Sequence, residues 1–538
     1  MSASTGRALG DVDGLLQAAE RLAGAWGARA RASTTLGQER AMLRLFGVNG
    51  LDRSGRPLAG AAVDRWLATS ADGLGAGIAL PFAMGLVEYD IEPQQLALDV
   101  ASGTVDLALE AELLADPDRR AAAEAEAVRL VNAALERIDA DRIARLELID
   151  LLGEARRPWI GTTMASLDLG SALDEAVQLA SIGFDVLRVE VPIGRELAAR
   201  LNDAGLDAPE WQPPEGLGQG FDDPELAPAG SQRALARLRR VADGVAAERR
   251  AYVRIATAVP PLGVPEGAVV AAFERVDLVE ADPMAEIVGG VSPDRALADH
   301  AFARRLHRRA DTLVCIGPGP LVVAPDMVSG VPASAAMRAG RALALQLLGV
   351  AMARADGLAA DRIVVGAYPS WLAGEAAATA RIVAEVAIRR VVFDAHALRF
   401  DEPPVEVGGS AGATAWPFIL GGAVRLAGDT AVVLRQPAID PRRAHDEARS
   451  AAAVGVDLGA ALGDAHDGLS GSALEHAREA LAAARATIDQ LAERGWSALL
   501  GDAPAEGPRG GDASPVRSLG GDAVADRTEA FDPLAPLG

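Results

Sequence analysis

The sequence predicts an α/β fold: a (β/α)8 TIM-type barrel behind an N-terminal helical accessory layer, with C-terminal helices and a tail after it. Three observations carry this expectation. Eight short apolar runs rich in β-branched residues succeed one another between residues 158 and 437. Segments between them, such as SALDEAVQLASIGF and RALADHAFARRLHRRA, place apolar residues at helical period. No G-x-G-x-x-G follows the first run, which argues against an open dinucleotide-binding sheet.

Residues 1–150 form the expected helical region, with helices over 11–31, 38–46, 60–70, 92–100 and an Ala/Glu/Arg-rich run over 117–147. Its most fully punctuated stretch is TTLGQERAMLRLFGVNG, residues 34–50. Thr35 suits the N-cap, and Gln38 three residues later completes a capping box that satisfies two amide donors. Met42, Leu43, Leu45 and Phe46 make an apolar stripe, while Arg40 and Arg44 share an exposed face. Gly47 suits the left-handed stop, with Val48 as its apolar contact. This is a packing helix.

The barrel is assigned to residues 151–460. Its strands are expected at PWIGTTMAS (158–166), DVLRVEVP (185–192), AYVRIATAVP (251–260) and VDLVEADP (276–283). Four more follow at TLVCIGPG (312–319), RIVVGAYPS (362–370), RRVVFDAHA (389–397) and TAVVLRQP (430–437). The longest loop, 193–229, follows the second strand and is expected to cover the C-terminal mouth as a lid or partner surface. Residues 461–500 are read as C-terminal helices and 501–538 as a flexible Gly/Asp/Pro-rich tail, whose apolar end at Phe531, Leu534 and Leu537 could dock.

Composition narrows the function. A net charge of −23 and a pI near 4.8 argue against nucleic acid or anionic membrane as partner. One cysteine, Cys315, leaves no internal disulfide framework and suits a reducing cytoplasm. The opening MSASTGRALGDVDG has no apolar run of the signal-peptide kind. The apolar stretch 333–355 is broken by Arg338, Arg341 and Arg354, as in a buried helix rather than a membrane span. All 52 basic residues are arginine. A GC-rich genome explains that bias, but the chemistry stands regardless: no side chain here can anchor pyridoxal phosphate as a Schiff base.

Strand parity then nominates site residues. Arg188 and Glu190 share a face of the second strand, Glu280 and Asp282 one of the fourth, and Asp394 and His396 one of the seventh. With Arg254 on the third they would form a polar cluster near the barrel mouth. Asp394, His396, Glu280 and Asp282 are the catalytic candidates, the His396–Asp394 pair being suited to acid–base work near neutral pH. The same charges also suit a structural salt-bridge layer. Arg188, Glu190, Arg254, Gly194 after the second strand, and Gly408, Gly409 and Ser410 of the EVGGSAGATAW loop (406–416) are candidates for gripping an anionic cofactor. IGPGP after the fifth strand is a second glycine loop. Cys315 is expected to be an inert core thiol, and the six histidines have no metal-ligand spacing. GDAHDGL (463–469) approaches the D-x-H-x-x-G that ligates cobalamin, but its glycine, Gly468, falls one place early and no Rossmann surroundings follow.

The stretch TTLGQERAMLRLFGVNGLDRSGRPLA resembles the N-terminal segment of the lysine 5,6-aminomutase large (alpha) subunit family. The similarity continues through GFDVLRV, VPEGAVVAAFERVDLVEAD and the tail around Phe531 and Pro533. The resemblance implies an isomerase subunit, an intramolecular aminotransferase that moves an amino group between adjacent carbons of a diamino acid such as lysine. It implies adenosylcobalamin on a smaller, beta-type partner subunit, and pyridoxal phosphate and substrate in the barrel, with the partner supplying the lysine. It also places the family's cofactor pocket at Val191, Glu196, Pro260, Ala285, Gly290 and Gly319, where cation, hydroxyl and aromatic side chains are expected and none stands. Pyridoxal phosphate is therefore expected to bind this barrel weakly. The other reading is a non-catalytic or repurposed barrel that still binds a cobalamin-carrying partner.

Overall fold

The computed structural model describes residues 11–52, 57–70, 73–166, 169–190, 232–259, 263–288, 291–317, 334–366, 379–401, 432–435, 440–461, 471–500, 524–529 and 531–537. The chain opens with α1 (Val12–Arg31), the short strand β1 (Ser33–Thr35) and α2 (Leu36–Leu45). Helices α3 (Leu58–Thr69), α4 (Ala79–Tyr89), α5 (Pro93–Ser102), α6 (Leu107–Leu113) and the long α7 (Pro117–Leu152) follow. Helices α4 and α6 have no counterpart in the sequence reading. The first is too uniformly apolar to show a helical period, and the second is only two turns long.

The barrel runs through β2 (Trp159–Thr163), α8 (Leu169–Ile182), β3 (Val186–Glu190), α9 (Gln232–Arg249), β4 (Arg254–Ala258) and α10 (Val264–Phe273). It continues with β5 (Leu278–Glu280), α11 (Pro283–Val288), α12 (Pro293–Ala310), β6 (Leu313–Ile316), α13 (Ala335–Ala355) and β7 (Ile363–Gly366). Helix α14 (Thr379–Val392), β8 (Ala397–Asp401), β9 (Val432–Arg435) and α15 (Pro441–Ala461) complete it. Strands β2 to β9 close in chain order, every neighbouring pair parallel, with Trp159 of β2 opposite Val432 of β9 at the seam. Then come α16 (Ser472–Arg494), α17 (Ser497–Leu500) and β10 (Val524–Asp526).

Seven of the expected strand runs contain the observed strands. The run RRVVFDAHA does not. Its first four residues finish α14, and the strand begins only at Ala397. Arg389 lies one helical turn from Glu385, with which it makes an ion pair at 3.6 Å, and that pairing keeps the segment helical despite its two valines. The real strand, ALRFD, alternates Leu398 and Phe400, both buried, with Ala397, Arg399 and Asp401.

Helix α2 is a junction. Gln38 N–H donates to Thr35 Oγ1 at 3.2 Å, so the cap forms, and Gly47 (φ +98°) ends the helix with Val48 buried behind it. The second half of the expected capping box does not form. Gln38 Nε2 donates instead to the Ala298 carbonyl on α12 at 2.9 Å. Arg40 and Arg44 are not on an exposed face either: Arg40 is buried and pairs with Asp64 of α3 at 3.1 Å, and Arg44 pairs with Glu266 of α10 at 2.7 Å. Thr35 Oγ1 donates to the buried Asp299 on α12, and Thr34 Oγ1 to buried Glu39 at 2.5 Å. A helix that looks amphipathic is held on every side because barrel helices cover its charged face.

Two apolar cores follow. The larger joins the barrel wall to α1, α13 and α16, where Trp26 stacks on Trp496 at 4.4 Å between centroids. The second lies between the N-terminal helices and the outer faces of α10 and α12. Low aromatic content and abundant alanine let helices approach closely: at Gly340 on α13, an added Cβ would stand 2.5 Å from Ala483 Cβ on α16. The expected flexibility of the tail fails at its far end. Val524–Asp526 pairs antiparallel with Ser33–Thr35, and Leu534 and Leu537 are buried in the second core, as docking of the apolar end requires. Residues 501–523, the 193–229 loop, the 406–416 loop and the GDAHDGL segment lie outside the described residues. No helix among the described residues is long and apolar enough to cross a membrane.

Candidate functional site

Register fixes which side chains enter the barrel. Gly161 sits opposite Val186, Val186 opposite Arg254, Ala256 opposite Leu278, Leu278 opposite Leu313, Cys315 opposite Val364 and Arg399 opposite Val432. Residues two apart on each strand share that inward face. The lower interior is apolar, filled by Trp159, Val186, Ala256, Leu278, Cys315, Val364 and Val432.

Above this floor lies a charged group. Arg188 donates from Nε and Nη2 to the two carboxyl oxygens of Glu280 at 2.5 and 2.9 Å, a bidentate pair. Arg399 Nη1 reaches Glu280 Oε1 at 2.7 Å and lies 3.5 Å from Cys315 Sγ. Burial pushes the Glu280 pKa up, but Arg399 and Arg188 pull it down further, to about 2. Glu280 therefore stays ionised between the two guanidinium groups. Its side chains retain 17%, 22% and 8% exposure for Arg188, Glu280 and Arg399.

Arg188 and Glu280 are thus brought together as expected. Arg399 was not foreseen, because the seventh strand was placed too early; the alternation in ALRFD is what would have revealed it. Asp282 stands just past β5, its Oδ1 accepting the Met284 amide at 3.0 Å at the start of α11. Burial raises its pKa to about 7, with Glu286 adding to the rise against the amides of Met284 and Ala285. Glu286, which holds His300 Nε2 at 3.0 Å, is raised by burial to about 8.

The other expected members are elsewhere. Arg254 is the first residue of β4, at the opposite end of the barrel, where it pairs with Glu154 at 2.5 Å and lies 3.5 Å above the Trp159 ring. Asp394 and His396 occupy the turn between α14 and β8, again at the N-terminal end. Burial and Arg354 push the His396 pKa down to about 4, against a rise from Asp394. A pair at that end cannot meet a substrate at the mouth, so the expected His396–Asp394 acid–base dyad is corrected. Glu190 ends β3, but its side chain, together with Gly194, Gly408, Gly409, Ser410, Val191, Glu196, Pro260, Gly290 and Gly319, lies outside the described residues. Ala285, on α11, packs against the large core. Among the described residues no group of histidine, cysteine and acidic side chains is arranged to hold a metal.

Comparison with known proteins places the chain. It is 26% identical over 300 residues to the lysine 5,6-aminomutase alpha subunit of Fusobacterium nucleatum subsp. nucleatum, covering 55% of this chain and 54% of the relative. It is 25% identical over 296 residues to that of Acetoanaerobium sticklandii, covering 54% and 52%. The match thus spans about half the length of these curated relatives. A rubisco-like protein from Burkholderia fungorum is 16% identical, over 62% of this chain and 68% of that one, at a TM-score of 0.34, too distant to carry an argument. Residues 10–410 match the family described as the D-lysine 5,6-aminomutase TIM-barrel domain of the alpha subunit, and the chain belongs to that family.

Proposed function

We propose that this chain is the barrel subunit of an aminomutase-like complex that carries out a 1,2-amino shift on a diamino acid such as lysine, with adenosylcobalamin brought by a smaller partner subunit. The observation that supports this best is the fixed charge of Arg188, Glu280 and Arg399 on the inner wall below the strand ends, the place where such barrels handle substrate. Bound adenosylcobalamin would supply an adenosyl radical that abstracts hydrogen from the substrate.

This chain's own residues divide the remaining work. Glu280 stays ionised through the neutral range, so it, Arg188 and Arg399 bind and orient rather than exchange protons. Asp282, with a pKa near 7, is the group at the strand ends suited to hold or release a proton, at Oδ2, since Oδ1 is tied to the Met284 amide. His396 and Asp394 take no part.

Pyridoxal phosphate does not fit the described residues in the manner the resemblance implies. Ala285 offers a methyl group, packed against the core, where a ring would stack, and no lysine is present. Any pyridoxal phosphate in the complex depends on an amine from the partner. The test is to co-express the chain with a cobalamin-binding small subunit of the family and to supply both cofactors and a diamino acid. An amino-shifted product that requires adenosylcobalamin supports the reading. A stable complex with no turnover would favour a barrel repurposed to dock a cobalamin-carrying subunit.

A further inference from the structure

Asp282 and Glu286 stand four residues apart at the start of α11, where the Glu286 amide reaches the Asp282 carbonyl at 3.4 Å. Both carboxyls therefore lie on one face of a single turn. They descend inward: Asp282 keeps partial exposure at the strand end, Glu286 is 8% exposed, and His300 behind it on α12 is 0% exposed. Among the described residues no arginine makes an ion pair with either carboxyl. On α12, Arg295 pairs with Asp299 at 3.3 Å, and Arg304 pairs with Asp356 at the end of α13 at 2.9 Å. On α13 itself the facing residue is Gly349, where an added Cβ would stand 3.6 Å from Asp282 Oδ1. Glu280, two residues before Asp282, is an anion held by Arg188 and Arg399. Two buried carboxylates without paired cations lose hydration and repel each other, and the relief open to them is to keep a proton. Burial raises Asp282 to about 7, with Glu286 adding to the rise, and raises Glu286 to about 8. Arg304 favours the Asp282 anion and Arg295 the Glu286 anion without overcoming that rise.

His300 fixes where that proton sits. Burial keeps its ring neutral, its Nε2 lies 3.0 Å from Glu286 Oε1, and its Nδ1 has no partner. The ring proton belongs on Nε2, since the other tautomer would bury a bare N–H. Oε1 is then an acceptor, and a proton on Glu286 stands at Oε2, which has no hydrogen-bond partner among the described residues. We propose that Asp282 and Glu286 are coupled as one acid pair that holds a single proton, and that Glu286, fixed by His300, is the positioning residue through which Asp282 stays able to give a proton to a group bound at the barrel mouth. For the use of that proton the proposal rests on the amino-shift reading; the pairing itself does not.

Infrared titration of the full chain reads the pair directly, through the carbonyl band of protonated carboxyl groups. The parent should lose part of that band in two steps near pH 7 and 8. Asp282→Asn and Glu286→Gln, both nearly isosteric, should each abolish one step. The carboxyl that remains should then ionise at least about one pH unit lower than in the parent, because no neighbouring carboxylate has ionised before it. Remaining midpoints that match the parent would mean two independent acids and would overturn the pairing. If a variant fails to fold, the parent decides alone: a band that does not change between pH 7 and 8 shows both groups already ionised and overturns the proposal. The measurement needs no partner, cofactor or turnover. A complex that proves inactive would therefore count against the amino-shift reading and leave this result standing.

Discussion

Arg399 Nη1 stands 2.7 Å from Glu280 Oε1, so the seventh and fourth strands of the barrel are joined by an ion pair through its interior. Neither strand neighbours the other, and the link therefore ties together walls that backbone hydrogen bonds leave separate. Replacing Glu280 by alanine would take from Arg188 and Arg399 the carboxylate they share. The expected loss is about 3 kcal/mol, read as a lower urea midpoint at unchanged slope. A loss within about 0.5 kcal/mol would mean that solvent already screens the group.

Thr35 caps α2 and also donates to Asp299, which is buried beside Arg295 on α12. Thr35→Ala removes the cap, worth about 1 kcal/mol, and takes a donor from a buried carboxylate, worth about 1–3 kcal/mol more. The sum should appear in equilibrium unfolding. Thr35→Ser should recover most of it, since the hydroxyl is what both partners use.

Gly340 marks the closest approach of α13 to α16. An alanine there would put its methyl 2.5 Å from Ala483 Cβ and against the carbonyl oxygen of Ala480. Because the obstacle includes backbone, the helices must separate, at a cost of about 1–3 kcal/mol. The stacked Trp26 and Trp496 offer a local readout, because parting α16 from its neighbours should change tryptophan fluorescence before global unfolding.

The pH dependence of stability has opposed limbs. Burial, with Arg304 adding to it at His300, holds His300 and His307 near pKa 3, well below their unfolded value of 6.5. Their contribution is intact above pH 6.5 and is lost as pH falls toward 3. Burial holds Asp282 and Glu286 near 7 and 8, above unfolded values of 3.8 and 4.5, so the folded state keeps protons there and stability falls as pH rises toward 8. Between pH 8 and 6.5 only the acids titrate, and the melting temperature should rise on acidification. Below pH 4 the histidines and Glu280, whose folded pKa of about 2 lies under its unfolded 4.5, both lose stability on acidification, and it should fall. Glu286→Gln should flatten the alkaline limb alone; a variant that shifts both limbs equally would rule out this assignment.

The barrel was legible in the sequence because its strands are parallel and buried on both faces, so they appear as unbroken apolar runs. The one misplaced strand shows the limit of that signal. Val391 and Val392 look like strand residues, yet the Glu385–Arg389 pairing and the turn at Asp394 make them the end of a helix. That shift carried His396 and Asp394 to the wrong end of the barrel and hid Arg399. Of the candidate site, Arg188 and Glu280 followed from parity alone. Their joining did not, since which strands face each other across a barrel depends on its shear. The role of α2 was misjudged for a related reason: Arg40 and Arg44 follow a surface pattern, but carboxylates from α3 and α10 meet them in the interior.

The pairing of Ser33 with Asp526 sets a condition on how the molecule is made. During synthesis the first strand leaves the ribosome long before its partner, and at 5–20 residues per second the interval is roughly 25–100 s. Throughout it, β1 presents an unsatisfied edge, and the pockets for Leu534 and Leu537 stand empty beside α12. The barrel can close in that time; the accessory layer cannot finish. A nascent chain of this protein is thus a completed barrel carrying an incomplete collar. The segment that carries Val524–Asp526, Leu534 and Leu537 acts as the fastener.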